Sequence, residues 1–286
     1  MARISDDQLT AEWHEKKSCW DTIYRWSRCT AVSYADQIAE WIIAEIDSIA
    51  LNADGLRQRI LRCPHFGQAM LHHEDKESGE KMLCRAAFNQ RYIEGLGAVL
   101  DYEVPLNERS DAGHGDIDLL CLRGQELLCV EAKWRQSKEA ALKGIIETFV
   151  YSRLLKKRLD KAQADYGLPS KTRVRPIFLT FKQTTSYCHL KSLSPESPVR
   201  HLIGALNKVL AGEGIFPIEL RHGFLTGEPS VLPWERLPYD GSRSKLIRFK
   251  KAVCLTTEEI KLSLVRTAGC RAAAAVPSGA RARTCR

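Results

Sequence analysis

The chain has no uninterrupted apolar run of about 18 residues, so no membrane-spanning helix is expected. No apolar segment follows a basic one in MARISDDQLTAEW, which argues against a secretory leader and makes the cytoplasm the expected compartment. There is no Cys-x-x-Cys pair. The ten cysteines, at 19, 29, 63, 84, 121, 129, 188, 254, 270 and 285, are scattered, and in a reducing compartment most read as small buried hydrophobes. The densest set of polar ligands, Cys63, His65, His72, His73 and Cys84, matches no zinc spacing. Internal repeats, a helix-turn-helix and aromatics spaced as a base-stacking platform are also missing.

What is present is a charge asymmetry. The formal net charge is +8, but residues 1–136 hold 16 Lys+Arg against 23 Asp+Glu, a net of −7, and residues 137–286 hold 27 against 12, a net of +15. A basic half suits a polyanionic partner, because each Lys or Arg set against a phosphate releases condensed counterions. The plainer reading is solvated helix faces and an arginine-bearing tail.

Hydrophobic periodicity orders the chain. Residues 8–62 read as helical, with Ile38, Trp41, Ile42, Ile46 and Ile49 on one stripe and Ser33 with Asp36 as a capping box. A polar break at 72–81 leads to a second helix, MLCRAAFNQRYIEGLG, then the strand VLDYEVPL and the loop NERSDAGHG. DIDLLCLRGQELLCVEAKW reads as a hairpin, followed by a long helix through residues 137–162 and the strand RVRPIFLTF at 173–181. A helix with Ser197 as its cap, a short strand IFPIEL, a Pro- and Gly-rich stretch at 223–242 and a basic extended segment come next. TTEEIKLSLVR reads as a helix capped by Thr256 and Glu259, and residues 267–286 as a disordered tail. Strands between helices predict an α/β layer structure with its sheet covered on both faces.

The hairpin carries the chemistry. Gly124-Gln125 suits a two-residue turn, which pairs residues whose numbers sum to 249. Asp118 then opposes Glu131, Asp116 opposes Lys133, and period-2 alternation puts all four on one face. Opposed acids repel unless something positive sits between them. A divalent cation meets that need, because carboxylate oxygens on a rigid sheet suit Mg²⁺ with several waters retained. Two acids and a lysine around such an ion are what phosphodiester hydrolysis uses. The alternative is a neutral cross-strand cluster in which Asp116 pairs with Lys133.

Asp118 with Glu131, Ala132 and Lys133, in the order helix, three strands, helix, strand, resembles the PD-(D/E)XK nuclease superfamily over residues 83–182. The resemblance implies a restriction-endonuclease-like mixed sheet flanked by helices, and Mg²⁺-dependent cleavage of DNA by water attack, with Mn²⁺ able to substitute. It implies Asp118, Glu131 and the Ala132 carbonyl as metal ligands, and Lys133 as the group that orients water or stabilises charge. Glu94, expected on the helix before the first strand, is an accessory acid by the same likeness. Glu147 and Tyr151 hold the spacing of the family's Q-x3-Y, with Glu in place of Gln. Asp116 fits the first-acid position less well and reads as support for Lys133.

Residues 1–82 are then a helical N-terminal region, and residues 83–266 the nuclease-like domain. The expected DNA contact is GSRSKLIRFKK, with Arg243, Lys245, Arg248, Lys250 and Lys251; the helix end with Arg153, Lys156, Lys157 and Arg158 ranks second, where a favourable helix dipole is explanation enough. Arg173, Arg175 and Lys182 border the last family strand, and His114 is a loop histidine without a role. Duplex DNA and a homodimer follow from the likeness alone. The alternative function is a catalytically idle nucleic-acid-binding or assembly protein of the same fold; a small-molecule enzyme using the cluster is third.

Overall fold

The computed structural model describes residues 4–53, 56, 79–106, 115–134, 137–226 and 254–262. Three helices open the chain: α1 (Asp6–Lys16), α2 (Trp20–Arg25) and α3 (Val32–Glu45). Ser5 caps α1, its hydroxyl accepting from the Gln8 N–H at 3.2 Å. Helix α3 starts one residue before Ser33, so the expected capping box is not made. Asp36 instead accepts a hydrogen bond from the Ser197 hydroxyl at 2.8 Å, which ties α3 to a helix far along the chain.

The sheet follows α4 (Gly79–Gln90). Its strands are β1 (Tyr92–Ile93), β2 (Gly97–Pro105), β3 (Asp116–Arg123), β4 (Glu126–Lys133), β5 (Arg173–Phe181), β6 (Glu219–Thr226) and β7 (Cys254–Glu259). They lie in sequence order: β1 to β4 form an antiparallel meander, β4, β5 and β6 run parallel, and β7 returns antiparallel. The crossover from β4 to β5 is made by α5 (Ala141–Lys157) and α6 (Leu159–Tyr166), and that from β5 to β6 by α7 (Thr185–Ser192) and α8 (Pro198–Gly212). The edges meet at one end, where the Glu94 carbonyl accepts from the Thr257 N–H at 3.1 Å and the Gln90 amide bonds both backbone groups of Leu255.

Both faces of the sheet are covered, as alternating helices and strands require. One face carries Leu120, Leu127, Cys129 and Phe178, packed with α5, α8 and the three N-terminal helices in one continuous core. The other carries Leu119, Cys121, Leu128, Val130 and Leu179 under Leu83, Cys84 and Phe88 of α4. No described helix is long and apolar enough to cross a membrane.

The hairpin is as its turn residue dictates. Gly124 takes φ 62°, and the pairs run from Arg123↔Glu126 to Leu119↔Val130, all summing to 249. The strand at 173–181 has the expected bounds. Elsewhere the structure corrects the reading. TTEEIK is not a helix: Cys254–Glu259 is a strand, paired antiparallel with β6 from Arg221↔Glu259 to Thr226↔Cys254. The helical reading over residues 8–62 stops at Glu45, and the long helix after the hairpin breaks at Arg158 into α5 and α6. Strand β6 begins at Glu219, later than IFPIEL, and takes in the first residues assigned to the Pro- and Gly-rich stretch. The cluster Cys63, His65, His72 and His73, most of the polar break at 72–81, the loop with His114 and the tail at 267–286 lie outside the described residues.

Candidate active site

At the end of the hairpin away from its turn, β3 and β4 part. The paired ladder stops at Leu119↔Val130, one pair short of Asp118 and Glu131, and the Asp118 Oδ2 accepts the Ala132 N–H at 2.7 Å. A carboxylate thus takes a backbone donor that faces the departing strand. The departure has a local cause in β2. Glu103 sits at φ 44°, in the left-handed region, and between Tyr102↔Leu119 and Val104↔Ile117 the regular pairing lapses. Alternation breaks there: Val104 and Ile117 join the core of α5, whereas Tyr102 and Leu119 face α4. The Glu103 carboxylate lies 3.3 Å from Arg85 of α4, both side chains buried. The single charged face expected from strict period 2 therefore does not run through to Asp116, which is exposed and registered against Pro105 of β2.

Lys133 is the hub. It is 4% exposed, and its Nζ lies 2.7 Å from Glu131 Oε1, 3.0 Å from Glu147 Oε2 and 3.1 Å from Glu139 Oε2. Glu147 reaches it because α5 seats closely on the sheet. A Cβ at Gly144 would come 2.2 Å from the Phe178 ring, so only glycine permits this approach, and Glu147 follows one turn on. Lys143, Glu147 and Tyr151, at i, i+4 and i+8, form one stripe along α5 toward the site. Lys143 lies 2.5 Å from Glu139 and 3.6 Å from Glu147.

The electrostatics are lopsided. Among the described residues Asp118, Glu131, Glu139 and Glu147 set four carboxylates against Lys133 and Lys143, a formal excess of two negative charges in a largely buried site. Burial raises the Glu139 carboxyl, but Lys133 and Lys143 outweigh it and hold the group below its ordinary value. Burial pulls Lys143 down, and Glu147 and Glu139 more than restore it. Burial pushes the Tyr151 phenol well above its ordinary value, with Glu147 and Glu131 acting the same way. Its hydroxyl abuts the backbone of Gly115, just ahead of Asp116, and its ring meets Tyr24 of α2 edge-on at 5.8 Å. The N-terminal helices therefore form a wall of this site.

The structure brings together Asp118, Glu131, Ala132, Lys133, Glu147 and Tyr151. Glu94 is not among them. Helix α4 ends at Gln90, and Glu94 lies in the β1–β2 turn, next to Gly95, whose carbonyl accepts from Arg123 at the hairpin's turn. Seven strand residues separate that end of β4 from Lys133, roughly 23 Å at about 3.3 Å each. The acid of the cluster that sequence reasoning missed is Glu139; Lys143 was missed as well. Glu139, Lys143 and Glu147 carry i,i+4 spacing that could have signalled them. Arg153 is engaged by Glu213, Arg175 by Glu126, and Arg173 lies over the Phe216 ring. Arg243, Lys245, Arg248, Lys250 and Lys251 lie outside the described residues.

Among the described residues no three His, Cys, Asp or Glu side chains converge as a ready metal cage. The donors are nonetheless those of a hard divalent ion, which needs only one or two carboxylates and otherwise keeps its waters. Glu147 Oε2 is buried and, despite its 3.0 Å separation from Lys133, makes no hydrogen bond of acceptable geometry. An under-satisfied carboxylate oxygen in a site with excess negative charge fits a cation. No protein-family model matches the chain, and no curated protein or solved structure does.

Proposed function

We propose that this protein is a divalent-metal-dependent nuclease that hydrolyses phosphodiester bonds of DNA, with a restriction-endonuclease-like core spanning α4 to β5. The observation that carries the reading is the buried, acid-rich cluster at the open end of the hairpin, in which Lys133 is held by Glu131, Glu139 and Glu147 beside Asp118. The element order helix, three antiparallel strands, helix and a parallel fourth strand supports the core assignment. The C-terminal ends of parallel strands β4 and β5 open at this cluster, a customary place for a ligand in an α/β sheet.

Asp118 and Glu131 would hold Mg²⁺, with the Ala132 carbonyl available on the edge where β3 departs. When bound, the ion supplies positive charge to the phosphate and acidifies water. Lys133 presents its ammonium to the reacting phosphate, orienting the attacking water or offsetting charge as the phosphorane forms. Glu147 and Glu139 fix that ammonium in place, so its reach is set before substrate arrives. Tyr151 closes the site against water from the side of α2.

The test is incubation of the full chain with plasmid and with single-stranded DNA, in Mg²⁺ or in chelator, beside Glu131→Gln and Lys133→Ala. Mg²⁺-dependent cutting, reduced by roughly 10²-fold or more in both variants, is expected. Cutting that persists equally in the variants removes these residues from the mechanism. DNA that is retained but never cut points to the idle binding protein.

A further inference from the structure

The register of the sheet continues the site sideways. Lys133 of β4 pairs with Thr180 of β5, Thr180 with His222 of β6, and His222 with Glu258 of β7. Registered residues share a face, so His222 lies on the face of Lys133, two strand spacings or about 10 Å away. Helix α7 bridges the interval: its Ser186 hydroxyl donates to the carbonyl of Glu139, a partner of Lys133, at 2.6 Å. The next residue, Tyr187, sets its ring 5.6 Å from His222.

His222 is built for an external partner. Its Nδ1 is buried and makes no hydrogen bond among the described residues, and its Nε2 lies 3.9 Å from Glu258, too far to donate. An imidazolium would leave a buried Nδ1–H with no acceptor, so the ring is a neutral donor through Nε2. Phe224 meets it edge-on at 4.2 Å, and Lys182 lies over the Phe224 ring at 5.5 Å. The charged groups facing His222 are Glu258, Lys182, Lys191 and Arg221. Arg221 is already held by Glu219 and Thr257, whereas Lys182 and Lys191 are exposed.

We infer that His222, Lys182 and Lys191, with the Tyr187 and Phe224 rings, form a binding track for the nucleic-acid strand next to the phosphate that Lys133 receives. The ligand class is a flexible phosphodiester strand: two lysines take phosphates, the His222 Nε2–H donates to a phosphate or base oxygen, and the rings offer an apolar edge to a base. This inference rests on the nuclease reading for its direction, since it extends the site along the same face.

The experiment measures binding of a labelled single-stranded oligonucleotide to the full chain by fluorescence anisotropy, in chelator, across a salt series. Wild type, His222→Ala, the double variant Lys182→Ala/Lys191→Ala and Glu131→Gln are compared, with plasmid cutting measured in parallel. The double variant is expected to weaken binding and flatten the plot of log K against log salt by about 1.4, at roughly 0.7 per lost phosphate contact on a single strand. His222→Ala is expected to weaken binding about fivefold to tenfold with the slope kept, as loss of a neutral contact should. Glu131→Gln serves as the cutting-deficient control. No binding by wild type, or an unchanged slope in the double variant, overturns the track. Cutting with an unchanged slope overturns the track while the nuclease reading stands; a flattened slope without any cutting supports the track and removes the nuclease reading.

Discussion

The two ends of one hairpin use the same residue types to opposite effect. At its turn, Arg123 reaches Glu126 at 2.8 Å and Glu219 at 2.7 Å, Arg175 reaches Glu126 at 2.5 Å, and Arg221 grips Glu219 and the Thr257 hydroxyl. Three arginines and two glutamates alternate there, and forked guanidinium contacts knit β3 to β6. At the open end four acids face two lysines, and Lys133 is shared by three of them. The turn end is a clasp in which each of these charges has a partner, with one arginine in excess. Among the described residues the open end carries the larger excess, and under the proposed reading that excess is what a cation and a phosphate would answer.

Removing the positive hub should break the symmetry most strongly. Lys133→Met leaves three carboxylates facing one another, and a loss of about 3–5 kcal/mol in urea unfolding is expected. Arg123→Met, at a more exposed position, should cost about 1–3 kcal/mol by the same measurement. Equal losses would mean that the open end is no more strained than the clasp.

Removing an acid should split the ends by sign. Glu219→Gln strips Arg123, Arg175 and Arg221 of a partner, and about 2–3 kcal/mol of destabilisation is expected. Glu147→Gln relieves part of the excess, so stability without added metal should hold or rise by up to about 1 kcal/mol while DNA cutting falls. A Glu147→Gln protein as destabilised as Glu219→Gln would show the cluster to be balanced after all.

Acid should act in two steps. Burial lowers His189, whose Nδ1 accepts the first N–H of α5 at 3.3 Å, with Asp36 acting weakly against it. The unfolded chain takes up that proton first, so this contribution is present above pH 6.5 and is lost as pH falls below it. Glu219 and Glu126 are raised by burial but held low overall by Arg123, Arg175 and Arg221; their contribution is present above pH 4.5 and is lost as pH falls through their lowered values. Urea midpoints should therefore decline gently from pH 7.5 to 5.5 and steeply below 4.5, and His189→Asn should flatten the gentle part. A wild-type midpoint unchanged between pH 7.5 and 5.5 would exclude the histidine contribution.

The hairpin was legible because Gly124 fixes a two-residue turn and strict alternation then counts out every pair. Strand β5 was legible as a bounded apolar run. Strand β7 was not, because Thr256 and Glu259 carry a local helix-start signal that pairing with β6 overrides. Glu94 was misplaced because α4 stops at Gln90 and Arg91 turns the chain at φ 66°, a conformation no residue preference announced. The candidate cluster was legible in its motif residues, Asp118, Glu131 and Lys133, and through the family likeness in Glu147 and Tyr151, but not in Glu139. Glu139 meets Lys133, six residues back, and Glu103, in the strand beside the hairpin, meets Arg85 of another element. Tertiary contact decides both.

We propose that the open end of the hairpin, and not its turn, takes a divalent cation. Electron paramagnetic resonance of Mn²⁺ titrated into the full chain tests it directly. Saturable binding is expected that Mg²⁺ displaces, that is lost in Asp118→Asn with Glu131→Gln and that is retained in Glu219→Gln. Binding that survives the double variant, or no saturable binding by the wild type, would contradict it.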